Sequence, residues 1–388
     1  MKRPVLDLGA SSSASSLSSV TTETLIGFGL ERKGRYHANG NMLSLLRWLG
    51  PWNDGRTPRG VRRETTDLGD GQRTFRYTPT TRPRGAYVVV PGMHPDGPAD
   101  PRLDRFCRLL AASGFLVDAP LLRHHLRLRL SPETPADLVR ALTAFAPAVD
   151  ALGLPPPALF SISFGSLPAI IAAAEHPSLV SGLALFGGFA DFDAAIRYAV
   201  TGSDGQATPD PLNRPALFLN FLPHLDLGND LGRVEWGWLT MVRRTWGRPE
   251  LKLEGARDGI AHELAAHVPA RHRELFLIGC GLAPGGEALL DRVLPLVATA
   301  HADPRPHLGR LTRPVLIAHG RDDDVIPVRQ ADELARALPA GLPRRVCVTG
   351  LYGHTGSARP TPGAIAGELR TMLSLVRALD RLPRGGLG

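Results

Sequence analysis

The stretch ALFSISFG, residues 158–165, ends an apolar run in two serines, an aromatic and a glycine. A strand that only filled a core would end in ordinary turn residues. A serine at a strand end, followed at the second position by glycine and then by a helix of small residues, suits a nucleophile exposed on a tight strand–turn–helix. Such a turn needs small residues on either side of the nucleophile, and Ser161 and Gly165 supply them. A serine hydroxyl is a weak nucleophile until a base takes its proton and a third group orients that base. HGRDDDVIP (319–327) offers carboxylates after the strand-like PVLIA, and GLYGHTG (350–356) presents His354 after RRVCVTG. If those strands run parallel, all three segments emerge at one carboxyl edge, where open α/β sheets bind their ligands. The chemistry implied is acyl transfer: Ser163 attacks a carbonyl carbon, His354 accepts its proton and an aspartate holds the imidazole. Asp191 or Asp193, in GGFADFD, competes for the acid role. Taken singly, Ser163 reads equally well as a helix cap, His354 as a surface histidine and RDDD as a solvated acidic turn. Their order along the chain is what favours catalysis.

The elements that must position these residues are legible from periodicity. GVRRETTDLGDGQRTFRYTP reads as a hairpin turning at Gly69-Asp70-Gly71. GAYVVVPG (85–92), FLVDAP, PALFSIS and GLALFGG are short, continuous apolar runs, the pattern of strands covered on both faces. Helical patterns alternate with them. PRLDRFCRLLAASGF places Leu103, Phe106, Leu109 and Leu110 on one face and Gly114 at the end; SPETPADLVRALTAFAPAVDALG is expected to start on a Ser131 cap with Glu133 and Asp137 in its first turns. Alternating strands and helices demand a mostly parallel sheet with helices on both faces. The rhythm breaks over 190–305, which reads as helix and loop, and resumes at RPVLIAHG (313–320), followed by VRQADELARAL, RRVCVTG and a last helix around 362–380. The expected organisation is a flexible Ser/Thr-rich segment over 1–35, a short helix over 36–50, a sheet domain over 36–189 and 306–385, and a helical cap or lid inserted at 190–305.

These segments resemble the α/β-hydrolase superfamily over roughly residues 60–385, the detail of the insertion excepted. The superfamily's acid motif, H-G-x-x-D-x-x-V-P, is similar to HGRDDDVIP with Ile326 for valine, and the resemblance places the acid at Asp323 between Asp322 and Asp324. Its G-H motif matches Gly353-His354, and its oxyanion loop matches VVVPGMH. By that resemblance the backbone N–H groups of Met93 and Phe164 stabilise the oxyanion, and no cofactor or metal is required. The elbow departs from G-x-S-x-G in carrying Ser161 at its first position. The resemblance implies a serine hydrolase of carboxylic esters or thioesters working on a small acyl substrate. An acyltransferase or peptidase with the same triad, or a non-catalytic binding protein of the same fold, are the alternatives. A nucleophile aspartate, as in dehalogenases and epoxide hydrolases of this fold, is absent from the elbow.

Composition narrows the field further. The 388 residues carry 45 Lys+Arg against 37 Asp+Glu, a formal charge of +8. Only Lys2, Lys33 and Lys252 are lysines and the arginines are scattered, unlike the concentrated patch of a nucleic-acid binder. Three isolated cysteines, Cys107, Cys280 and Cys347, argue against a disulfide framework or zinc site and suit a reducing, cytoplasmic setting. No run of 18 apolar residues signals a membrane span. HELAAH (262–267) spaces its histidines five apart, about 140° around a helix, where a zinc-binding pair sits four apart. GCGLAPGG (279–286) lacks the lysine of a phosphate loop. His124 and His125 precede leucines alternating with arginines, read as an extended amphipathic segment; His94 flanks the oxyanion loop. Phe218, Phe221, Trp236, Trp238 and Trp246 are candidates either for an acyl pocket or for the insertion's own core.

Overall fold

The computed structural model describes residues 58, 60–203, 207–297, 302–350 and 362–387, without the side chains of 362–365. The expected segment 1–35, the helix over 36–50 and His354 lie outside the described residues.

The chain opens with the hairpin its turn chemistry demands. Strands β1 (Val61–Gly69) and β2 (Gln72–Pro79) pair antiparallel, with both Asp70 and Gly71 at positive φ, the geometry of a two-residue turn that matches the twist of its strands. Strands β3 (Ala86–Val90), β4 (Leu116–Pro120), β5 (Ala158–Ile162), β6 (Leu183–Phe186), β7 (Val315–Gly320) and β8 (Arg344–Thr349) complete an eight-stranded sheet in the order β1-β2-β4-β3-β5-β6-β7-β8. β2 joins β4 antiparallel, and every pairing from β4 to β8 is parallel.

Helices cover both faces, which is why the inner strands read as unbroken apolar runs. On one face Tyr87, Val89, Phe160 and Leu316 pack with α1 (Pro101–Ala112). The last helix, numbered α13 (Pro362–Arg381), adds Met372, Leu375 and Leu379 to the same cluster. On the other face Val88, Val90, Leu159 and Ile317 pack with α3 (Thr134–Asp150), α4 (Ser166–Glu175) and α12 (Arg329–Ala337). α1 starts where Asp100 accepts from the N–H groups of Arg102 and Leu103, and it stops at Ser113 with Gly114 at φ +92°. Ser131 is not the cap of α3. Its hydroxyl accepts from Glu133 N–H in a local turn, and the helix begins at Thr134, just before Pro135, whose fixed φ suits a first turn.

Between β6 and β7 the described chain forms only helices: α5 (Phe192–Thr201), α6 (Arg214–Leu219), α7 (Leu231–Thr245), α8 (Asp258–Ala265), α9 (Arg273–Gly279), α10 (Gly286–Val297) and the short α11 (Arg305–Leu308), with 3-10 turns between several of them. They bury a cluster of their own around Phe218, Phe221, Trp238 and Phe276, which also receives Phe164 from the turn before α4 and Leu167 from its start. The segment after β4 is not extended as its leucine alternation suggests. Arg123–Leu126 is a helical turn, α2, and Leu128 sits at φ +58°.

Candidate active site

The sheet's connections reverse direction at β3: the chain leaves β3 for β4 on one side and returns to β5 on the other. A crevice opens beyond the carboxyl ends of strands at such a point. Here it is a cavity of about 540 Å³, a size ordinary for a small-molecule site. The loop after β3 (Pro91–His94), the turn after β5 (Ile162–Phe164) and residues of the helical segment line it.

Ser163 stands in that wall at the end of β5, at φ +50°, a left-handed conformation that only a constrained turn imposes on a residue with a Cβ. Such a residue stores about 1–3 kcal/mol of strain. The turn is tight because the chain passes from strand through a single 3-10 turn, Ser163–Gly165, straight into α4. Gly165 is required there: a Cβ would lie 2.7 Å from the carbonyl oxygens of both Val90 and Pro91. Ser161, where the family pattern has glycine, is fully buried and donates its hydroxyl to the Ala184 carbonyl of β6 at 3.3 Å. The extra side chain is thus accommodated between strands.

The β3 loop presses against this turn. A Cβ at Gly92 would sit 3.1 Å from the Ile162 carbonyl oxygen and 3.5 Å from Ser163 Cβ, so Gly92 permits a close approach and Met93 follows it at the cavity wall. Two histidines brace the loop. His125 is buried, with its Nδ1 3.0 Å from the Pro91 carbonyl oxygen, so this nitrogen carries the proton; burial pushes its pKa down from 6.5 to about 4. His94 accepts from Asp96 N–H on Nδ1, points Nε2 at Asp100 Oδ2, 3.4 Å away, and stacks on Trp246 with ring centres 5.4 Å apart. Burial lowers its pKa too, against the opposing pull of Asp100 and Asp96.

The carboxylates after β7 are sorted by their partners. Asp323 Oδ1 accepts from the N–H groups of Val325 and Ile326, both at 2.9 Å, while Oδ2 lies 3.5 Å from His319 Nε2 and beside Gly187 at the end of β6. Asp324 is buried and paired with Lys252. Asp191 is committed elsewhere: it caps α5 through Ala194 N–H and faces Arg305 at 3.4 Å. Asp193 has its pKa raised by burial and by Asp191. Val325 and Ile326 line the cavity next to the Ser163 turn.

On β8 the chain reaches Thr349 and Gly350 at the same edge, paired with β7 through Gly320. Glu368 of α13 accepts from the Thr349 hydroxyl at 2.6 Å and from Gly350 N–H at 3.0 Å, which pins the point from which the chain continues toward His354 in sequence. Burial would raise the Glu368 pKa, but these bonds and Arg321 hold it below the usual value. Nothing in the local pattern signals Glu368 or His125 as supports of the site, because each works through a residue far away in sequence.

Of the insertion's candidate aromatics, Phe218, Phe221 and Trp238 are fully buried in its core, Trp236 is 43% exposed, and Trp246 lines the cavity. His262 bonds the Asp258 carbonyl and His267 packs on Trp236. His124 meets Glu133. Among the described residues no cluster of three or more His, Cys, Asp or Glu could hold a metal ion.

No family model matches the chain, and no curated protein matches it in sequence. Among solved structures it is similar to a puromycin-hydrolyzing peptidase of Mycobacterium tuberculosis, at 16% identity over 84% of this chain and 39% of that one, with a TM-score of 0.45. It is similar also to 2-hydroxy-6-oxo-6-phenylhexa-2,4-dienoate hydrolase of a Rhodococcus species (16%, 74% and 90%, 0.37). A third is a serine hydrolase of Cycloclasticus zankles (15%, 74% and 89%, 0.40). Independently of those likenesses, the strand order, the parallel pairings and the helices on both faces make this chain an example of the α/β-hydrolase fold.

Proposed function

We propose that the protein is a serine hydrolase that cleaves a carboxylic ester or thioester through an acyl-enzyme. Ser163 is the nucleophile, His354 the base and Asp323 the residue that orients it. The observation that carries this reading is Ser163 itself, held at positive φ on the wall of the cavity at the sheet's reversal point, where strain exposes a hydroxyl that core packing would not need.

The reaction then runs as follows. Ser163 Oγ attacks the substrate carbonyl while His354 takes its proton. The Met93 and Phe164 N–H groups receive the oxyanion, and His354 returns the proton to the leaving group. Water repeats the cycle on the acyl-enzyme. Asp323 suits the acid role better than Asp191 because one of its oxygens is fixed by its own loop and the other is not committed to a helix cap. The helices over 190–305 act as the cap: Ile196, Leu212, Leu217 and Trp246 give the cavity an apolar wall that suits an acyl chain. Three buried, unpaired cysteines suit a reducing, cytoplasmic setting, and no helix among the described residues is long and apolar enough to cross a membrane.

A fluorophosphonate probe should label Ser163 stoichiometrically, and p-nitrophenyl butyrate should be turned over. Ser163→Ala should abolish labelling, and turnover should fall by at least about 10³-fold, with Asp323→Asn costing about 10³–10⁴-fold and Asp191→Asn far less. An unlabelled wild type, or a Ser163→Ala variant with undiminished turnover, rejects the hydrolase reading.

A further inference from the structure

The loop after β7 is gripped from outside the sheet. The Tyr198 hydroxyl of α5 shares its one proton between the Ala207 carbonyl oxygen at 2.9 Å and the Asp323 carbonyl oxygen at 3.2 Å. Asp210 N–H donates to the Asp324 carbonyl oxygen at 2.8 Å. Lys252 Nζ reaches Asp324 Oδ2 at 2.6 Å and Asp210 Oδ2 at 2.8 Å. Tyr198, Asp210 and Lys252 all belong to the helical segment, so the segment that walls the cavity also holds the loop carrying Asp323. Asp324 is buried, and its other carboxylate oxygen has no hydrogen-bond partner among the described residues, so Lys252 is what makes its burial tolerable.

Lys252 itself lines the cavity and is the sole lysine among the described residues. Burial opposes its charge, yet the hydrogen bonds to Asp210 and Asp324 outweigh it and raise its pKa, so it stays cationic through neutral pH. Where the other described residues use arginine, a lysine fits this place. A compact ammonium donates to two carboxylates arriving from different elements, whereas a guanidinium fork favours one carboxylate held bidentately.

From these contacts we propose that Lys252 is a positioning residue: the Asp210–Lys252–Asp324 clasp fixes the loop over 323–326 and through it the direction of the Asp323 carboxylate. The inference rests on the reading of Ser163 and Asp323 as nucleophile and acid. Loosening the clasp tilts the orienting group without removing the apolar walls that bind substrate, so turnover suffers more than binding.

The test measures kcat and KM for p-nitrophenyl butyrate in Lys252→Met, Lys252→Arg, Asp323→Asn and the Lys252→Met/Asp323→Asn double variant, with melting curves and fluorophosphonate labelling alongside. Lys252→Met should lose about 10- to 100-fold in kcat with KM within about threefold, and Lys252→Arg, which keeps the charge but favours one carboxylate over the bridge between two, should recover only part of that loss. In the Asp323→Asn background the loss should vanish, because no oriented carboxylate is left to misplace. Should Lys252→Met fail to fold, Lys252→Met/Asp324→Asn removes the Lys252 charge together with the buried carboxylate it meets and is measured in its place. The inference is overturned if the folded variant keeps wild-type kcat, if only KM rises, or if the loss is equal with and without Asp323. A wild type that no probe labels at Ser163 rejects the hydrolase reading itself, and the inference falls with it.

Discussion

At Ser161 the elbow departs from the pattern the rest of it follows, and the side chain shows why the departure is tolerated. Its hydroxyl donates across to Ala184 on β6 instead of pressing on the turn. Ser161→Ala should therefore cost about 0.5–1.5 kcal/mol in urea unfolding while leaving turnover within about twofold, since Ser161 is fully buried and is not among the residues lining the cavity. A large loss of turnover would show that Ser161 shapes the Ser163 turn directly. His125 makes a second residue-scale prediction. Its pKa is about 4 in the folded chain against an ordinary 6.5, so the unfolded chain binds more protons between those values and stability rises with pH across that window. The contribution is fully present above about pH 6.5 and is lost as pH falls toward 4, about 3 kcal/mol in all. Unfolding midpoints from pH 4 to 7 should show this slope in the wild type and a flatter one in His125→Gln; equal slopes would assign the pH dependence elsewhere. The sequence shows the histidine but not its role, because the Pro91 carbonyl that it meets is 34 positions away.

At the scale of elements, the helical segment depends on close helix contacts that its periodicity does not disclose. Gly279, at the end of α9, abuts the buried indole of Trp238 on α7, and a Cβ there would overlap the ring; Trp238 in turn donates to the Phe276 carbonyl at 3.0 Å. Gly279→Ala should cost about 1–3 kcal/mol by overpacking and shift tryptophan fluorescence, while Ser163 still reacts with a fluorophosphonate because the elbow's tightest contacts are with the β3 loop. Unchanged stability would mean that α7 and α9 can slide apart at no cost. The apolar pattern of the segment pointed to helices and loops, and it left open which aromatics face the cavity. Trp246 does so because the chain leaves α7 there and turns back over the β3 loop to stack on His94. The same limit explains the start of α3: a serine ahead of a helical pattern is a reasonable cap, yet Ser131 closes a local turn instead.

For the whole molecule, the last helix closes the sheet. Met372, Leu375, Val376 and Leu379 of α13 are buried against one face, Tyr87 donates its hydroxyl to the Leu379 carbonyl, and Glu368 pins the end of β8. Burial of those four side chains contributes on the order of 10 kcal/mol, comparable with the entire stability of an ordinary domain. A chain ending before residue 362 should therefore fail to reach the native state, read as lost far-UV ellipticity and rapid proteolysis. A cooperative melt near the wild-type temperature would contradict this.

The order of strands and helices, the parallel class of the sheet and the placement of Ser163 and the RDDD acids after strands were all carried by the sequence itself. Apolar period, glycines and turn residues act within a few positions, and chain connectivity does the rest. Tertiary structure decided how the carboxylates divide their work: Asp191 caps a helix, Asp324 takes Lys252, and Asp323 is left turned toward the end of β6. Those assignments turn on which groups are buried together from segments distant in sequence, as with Lys252 and Asp324, 72 positions apart. The energy of burying a charge depends on the partner that meets it in space, and local pattern does not encode that partner.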